Sequence, residues 1–234
     1  NTKCGFGETI ANPALAVLDI ERFAAAAHGH GVPLIVDNTF PTPVLCRPIE
    51  WGADIVTHST TKYMDGHGAS VGGVIVDAGR FNWNAHADKF PGLTTPDESY
   101  HGVVYTERFG LEGAYITKAT AQLMRDLGSI QSPQNAFLIN LGLESLHLRM
   151  ARHAEHGRVV AEHLAAHPKV AWVRHPSLAG DSEAALAAKY LPDGSCGVVS
   201  FGVAGGRAAA ETFMKNLRLA QIATHVADAR TCCL

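Results

Sequence analysis

Two short apolar runs constrain the fold more than any other feature of this sequence. They are "VPLIVD", near 33–37, and "GADIV", which runs into "THSTTK". Both are continuous and rich in β-branched residues instead of alternating with polar ones. That pattern belongs to strands buried on both faces, as in parallel sheets covered by helices. Before the first run, "LDIERFAAAAHGHG" offers Asp19 as an N-cap and Gly29 and Gly31 as stops, which predicts a helix over 19–29. After the second, "VGGVIVDAG" predicts a third strand near 72–77. Strands separated by a helix predict an α/β sheet with parallel pairs.

Each of the first two runs ends in polar residues. Asp37-Asn38-Thr39 closes one, and Thr57-His58-Ser59-Thr60-Thr61-Lys62 closes the other. Ligands of open parallel sheets bind beyond the carboxyl ends of the strands, so both clusters are expected to face one crevice. Taken singly, Asp37 reads equally well as the start of a side-chain-capped turn, and Lys62 as a solvated lysine. Taken together they suit a lysine that forms a Schiff base with pyridoxal phosphate and an aspartate that keeps the pyridine nitrogen protonated. Ser59 and Thr61 stand at i and i+2. They point the same way and suit a phosphate if that stretch is extended.

Residues 81–106 hold many Pro, Gly, Asn and Asp and few periodic apolar residues, a long excursion expected to be functional or part of an interface. Helical patterns fill 107–167, where Gly142 and Gly157 interrupt the apolar spacing. After Pro168 the order strand, helix, strand, helix predicts a smaller unit. The expected division is 1–144 as part of a large domain and 145–234 as a linking helix and part of a small C-terminal domain.

A net charge of −3 gives no reason to expect nucleic acid or an anionic membrane as partner. No apolar run approaches the roughly 18 residues of a membrane span. The five cysteines form no CxxC pair and read as reduced thiols, which suggests a cytoplasmic protein. Both ends read as cut, and an internal segment of a longer chain is expected. "GHGASVGG" does not fit GxGxxG. His153/His156 and His163/His167 lack the glutamate of a zinc HExxH motif, and Cys232-Cys233 stands alone, so no metal site is expected. Arg149 and Arg174 read as solvated or structural.

"FGETIANPALAVLDIE", "GVPLIVDNTFPTPVLCRPIEWGADIVTHSTTKYMDGHGASVGGVIVD" and "GLESLHLRMARHAE" together resemble the Cys/Met-metabolism family of pyridoxal-phosphate enzymes. The resemblance covers nearly the whole chain. Within the family, "FNWNAHADKFPGLTTPDESYHGVVY" is most similar to the O-acetylhomoserine sulfhydrylase branch. The resemblance implies fold type I: an aspartate-aminotransferase-like α/β fold with a mixed, mostly parallel sheet and helices on both faces. It implies pyridoxal 5'-phosphate held by Lys62, with Asp37 at the pyridine nitrogen, Ser59 and Thr61 at the phosphate, and Asn12 near the phenolic oxygen. Glu8, Asn38, Thr39 and His67 are expected to be supporting residues. The implied reaction is γ-replacement on O-acetyl-L-homoserine by sulfide or methanethiol, in a homo-oligomer built as a dimer of dimers. The alternatives are chemistry of the cystathionine γ-synthase or methionine γ-lyase type and, outside catalysis, a cofactor-free oligomerisation module. The family's glycine-containing phosphate loop, ring-stacking tyrosine and carboxylate-binding arginine are expected outside this segment.

Overall fold

The computed structural model describes residues 1–233. Its first half is built on a four-stranded sheet in the order β1-β2-β3-β4. Strand β1 (Gly5–Glu8) leads through α1 (Ile20–Gly29) to β2 (Leu34–Asp37). A short turn of helix, α2 (Thr42–Leu45), precedes β3 (Ile55–Ser59) and β4 (Gly73–Asp77). β1, β2 and β3 are parallel, whereas β4 runs antiparallel to β3. The expected mixed sheet is therefore present. Its third predicted strand forms an edge, with Val74, Ile75 and Val76 exposed.

Helix α1 starts where its capping residue predicts, with the Asp19 carboxylate accepting from the Arg22 N–H at 3.4 Å. It buries Ile20, Ala24 and Ala27, spaced one turn apart, against the sheet. Strand β1 was not expected, because "GFGE" holds two glycines and little β propensity. Its neighbours dictate it. A Cβ at Gly7 would lie 3.1 Å from Leu18 Cδ2, closer than ordinary contact, so a larger residue would require Leu18 to shift.

Alternation along the strands divides the core. Ile35 and Ile55 face a cluster of Phe81, Trp83, Leu93, Tyr105 and Ala114. Val36 and Val56 face α1 and Met150. The excursion over 81–106 is thus a covering layer of the sheet. Trp83 stacks on Tyr115, with centroids 5.7 Å apart and an interplanar angle of 7°, and meets Phe90 edge-on at 5.0 Å. The layer includes α3 (Pro91–Thr94) and leads into α4 (Tyr105–Thr117), which is kinked at Gly110 with φ 69°. A π-helical stretch (Lys118–Met124) and α5 (Arg125–Leu127) continue the same rod.

Two long helices follow, α6 (Pro133–Glu144) and α7 (Leu146–Ala165). The glycines that interrupt their apolar pattern do not break them. A Cβ at Gly142 would lie 2.2 Å from the Met64 carbonyl oxygen, and one at Gly157 2.4 Å from that of Cys196. Each marks a place where a helix touches backbone directly. The last part follows the predicted order: β5 (Val170–Arg174), α8 (Ala184–Tyr190), β6 (Ser200–Val203) and α9 (Gly206–Lys215), with β5 and β6 antiparallel. A two-residue parallel pair, β7 (Gln221–Ile222) and β8 (Cys232–Cys233), closes the described chain. All five cysteines are free thiols, Cys46 and Cys196 buried. Among the described residues, no helix is long and apolar enough to cross a membrane, and no three His, Cys, Asp or Glu side chains gather as a metal site.

If the excursion covers the core, Trp83→Ala should destabilise the full-length protein by about 3 kcal/mol or more in urea unfolding. A loss within about 0.5 kcal/mol, the usual range for surface positions, would contradict that role.

Candidate active site

The parallel register brings the strand ends level. Glu8 lies opposite Asp37, and Asp37 opposite Thr57, so the carboxyl ends of three strands form one edge. Side-chain bonds lock that edge. Asn38, fully buried, accepts from the Thr9 hydroxyl at 2.8 Å and donates through Nδ2 to the Cys46 carbonyl at 2.8 Å. The Ser59 N–H donates to Thr39 Oγ1 at 2.8 Å, which ties the end of β3 to the end of β2. Asn38 and Thr39 are therefore scaffold, as their positions suggest. The half-buried Asp37 carboxylate accepts from the Thr39 N–H through Oδ1 at 2.9 Å. The capped turn is present, and it engages one carboxylate oxygen of the two.

After Ser59 the chain does not stay extended. The Lys62 N–H donates to the Ser59 carbonyl at 3.2 Å, Asp65 N–H to Thr60 at 3.0 Å, and Gly66 N–H to Lys62 at 2.8 Å. This tight turn corrects the expectation that Ser59 and Thr61 project side by side from a strand. The Thr61 hydroxyl is instead paired with Gly72, accepting from its N–H at 3.1 Å and donating to its carbonyl at 3.3 Å. Lys62 sits half-buried in the turn. Asn12 is exposed in the loop beyond β1, where its N–H donates to Glu8 Oε2 at 3.1 Å.

On the opposite face of β3, His58 and Thr60 are buried, and His58 Nδ1 and Thr60 Oγ1 lack hydrogen-bond partners. Both line a cavity of 650 Å³ together with Asn38, Val74 and Ile139. Burial holds the His58 pKa below the usual histidine range, and the negative charge of Asp37 opposes that shift without reversing it. His58 is therefore neutral near neutrality.

An amine, a carboxylate and hydroxyls stand at two adjacent strand ends. Such a donor set suits an aldehyde, a protonated ring nitrogen and a phosphate, the three polar handles of pyridoxal phosphate. The family model for Cys/Met metabolism PLP-dependent enzymes matches residues 1–233. The chain belongs to this family. It is 46% identical to the homocysteine synthase of Schizosaccharomyces pombe over 99% of its own length and 54% of that protein. It is 44% identical to the O-acetyl-L-homoserine sulfhydrylase of Leptospira meyeri, over 98% of the chain and 53% of the relative. It spans about half the length of the curated relatives it matches. A crystal structure from Campylobacter jejuni, assigned as an O-acetylhomoserine (thiol)-lyase, superposes with a TM-score of 0.91 at 33% identity. The match covers 98% of this chain and 56% of that one, which contains N'-pyridoxyl-lysine-5'-monophosphate. The fold is that of the fold-type I pyridoxal-phosphate enzymes.

For a member of this family, two residues gain importance that their sequence positions do not disclose. Tyr63, directly after Lys62, is 1% exposed, and its hydroxyl accepts from the Gly197 N–H at 2.9 Å. Arg149 on α7 donates to the carbonyl of Tyr63 at 2.6 Å. Arg174 pairs with Asp181 at 3.0 Å, so neither arginine is simply solvated. The adjacency of Tyr63 to Lys62 was the only signal in the sequence for either contact.

The lowered pKa of His58 fixes the sign of a pH effect. Unfolding restores an ordinary histidine, which binds a proton more readily than the folded one. The stability from neutral His58 is thus fully present above the unfolded pKa of about 6.5 and is lost as pH falls below it. Half-buried His153 and buried His175 are shifted the same way, also chiefly by desolvation. His58→Gln should therefore flatten, without abolishing, the acid side of the stability profile followed by thermal unfolding. An unchanged slope would show that His58 does not titrate as described.

Proposed function

We propose that this protein catalyses pyridoxal-phosphate-dependent γ-replacement on O-acetyl-L-homoserine. Sulfide gives homocysteine and acetate, and methanethiol gives methionine and acetate. The observation that carries the reading is the adjacency of two parallel strand ends, with Asp37 closing β2 and the turn that holds Lys62 leaving β3 beside it. Support for the substrate comes from relatives that are homocysteine synthases and O-acetyl-L-homoserine sulfhydrylases. The division into a cofactor-binding part, 1–144, and a linking helix with a smaller domain, 145–234, belongs to the same proposal. So do a homo-oligomer built as a dimer of dimers and a cytoplasmic location.

The residues divide the work. Lys62 holds the cofactor's aldehyde carbon covalently. When released, its amine takes the proton from the substrate α-carbon and later returns one. Asp37 stabilises a proton on the ring nitrogen by its opposite charge. Ser59 and Thr61 hold phosphate oxygens, Thr61 after exchanging a bond to Gly72, and Asn12 sits beside the phenolic oxygen. Neutral His58 leaves the Asp37 carboxylate undiluted by a competing cation. When bound, pyridoxal phosphate supplies an electron sink for the pair released at the α-carbon. The chemistry at the γ-carbon then balances simply: the carbon–oxygen bond to acetate breaks, and a carbon–sulfur bond to the incoming thiol forms.

The test uses the full-length protein with O-acetyl-L-homoserine, with and without sulfide, and follows acetate and 2-oxobutyrate together. Sulfide-dependent acetate release matched by homocysteine is expected. Appreciable 2-oxobutyrate without thiol incorporation would point to elimination of the methionine γ-lyase type and overturn the replacement reading. Asp37→Asn should lower kcat by about 100-fold or more while the protein stays folded.

A further inference from the structure

We propose that Arg149 is a positioning residue for Lys62: it holds the backbone turn from which the amine projects, and thereby the amine's place beside Asp37. The proposal rests on the reading of Lys62 as the cofactor-bearing amine.

The turn is not held by its own hydrogen bonds alone. Its carbonyls at Tyr63 and Met64, immediately after Lys62, point toward α7. There the Arg149 guanidinium donates through Nη1 to Tyr63 at 2.6 Å and through Nη2 to Met64 at 3.4 Å. The same Nη2 donates to the Gly142 carbonyl of α6 at 2.6 Å, and Nε to Ser145 Oγ at 3.0 Å. One planar fork thus joins the lysine turn to two helices, from 86 positions away in the chain.

The surroundings are shaped for that fork. A Cβ at Gly66, where φ is +70°, would lie 2.4 Å from Arg149 Nη1. Gly142 lets α6 come close to the carbonyls of Met64 and Asp65. Asp65, 2% exposed, accepts from the N–H groups of His67 at 3.2 Å and Ala69 at 2.9 Å and from the Ser70 hydroxyl at 3.2 Å. Its negative charge offsets the cost of half-burying the guanidinium. Beyond the turn, the Tyr63 ring meets His153 edge-on at 5.0 Å. A lysine at 149 would carry the charge without the planar fork, and a methionine would leave the carbonyls unpaired. Displacement of a reacting group by about 1 Å can cost about 100-fold in rate, so a loosened turn matters to catalysis.

The test compares full-length wild type with Arg149→Lys, Arg149→Met and Met150→Ala. Met150 is a buried neighbour on the same helix and serves as the control for lost stability. In cofactor-stripped protein, the acetylation rate of Lys62 at one pH is read by peptide mass spectrometry relative to exposed Lys215. In loaded protein, kcat and KM are measured well below each variant's Tm. Arg149→Met should raise the relative acetylation of Lys62 by about threefold or more and lower kcat by about 100-fold, with KM within about threefold. Arg149→Lys should fall between, and Met150→Ala should lower Tm with Lys62 reactivity unchanged. If the arginine variants lose Tm but match Met150→Ala in Lys62 reactivity and kcat, Arg149 is only structural and the proposal fails. Where Arg149→Met does not fold, Arg149→Lys decides by the same readouts. Failure of the Lys62 reading itself would appear in wild type, as cofactor not attached to Lys62, and is distinct from either result.

Discussion

The parallel ladder that places β2 between β1 and β3 is the constraint on which the site depends. It sets Glu8, Asp37 and Thr57 level, and so decides which polar residues meet beyond the strands. Side chains in a strand alternate between faces, so a slip of one residue would carry Asp37 to the face of His58 and separate it from Ser59. The buried bonds of Asn38 and the Thr39–Ser59 bond act against such a slip, because each is satisfied only in this register. The apolar runs drive the strands together, and the buried polar knot fixes how they align.

The lysine turn adds a second level of order. A short turn at a strand end has few internal contacts and would otherwise be among the more mobile parts of a protein. Here it is gripped from α6, α7 and the loop around Gly197, which brings both parts of the chain to bear on the residue next to Lys62. Two of the grips need glycine on one side, at Gly66 and Gly142. The segments around Lys62 therefore depend on each other's shape as much as on their own propensities.

What the sequence disclosed follows from this division. Helix α1, β2, β3 and the later β5-α8-β6-α9 order were legible, because capping residues and apolar runs are local signals. That the end of β2, with Asp37, lies beside the end of β3 was legible because parallel strands end at one edge. Strand β1 was not, since its glycines answer to side chains beyond the strand, Gly5 to Leu34 and Ala27 and Gly7 to Leu18. The antiparallel direction of β4 was also hidden, because an apolar run does not encode the orientation of its partner. The excursion over 81–106 looked like a loop because its aromatic residues pack without period, on one another and on the sheet. Arg149 was hidden for the plainest reason: its partners are backbone carbonyls far away in sequence, which leave no pattern among side chains.

On the proposed reading, this edge holds one cofactor on one amine. Borohydride reduction of the full-length, cofactor-loaded protein, followed by peptide mass spectrometry, tests it most directly. A phosphopyridoxyl group is expected on the peptide that contains Lys62 and on no other lysine. Label on a different lysine, or none after reduction, would contradict it.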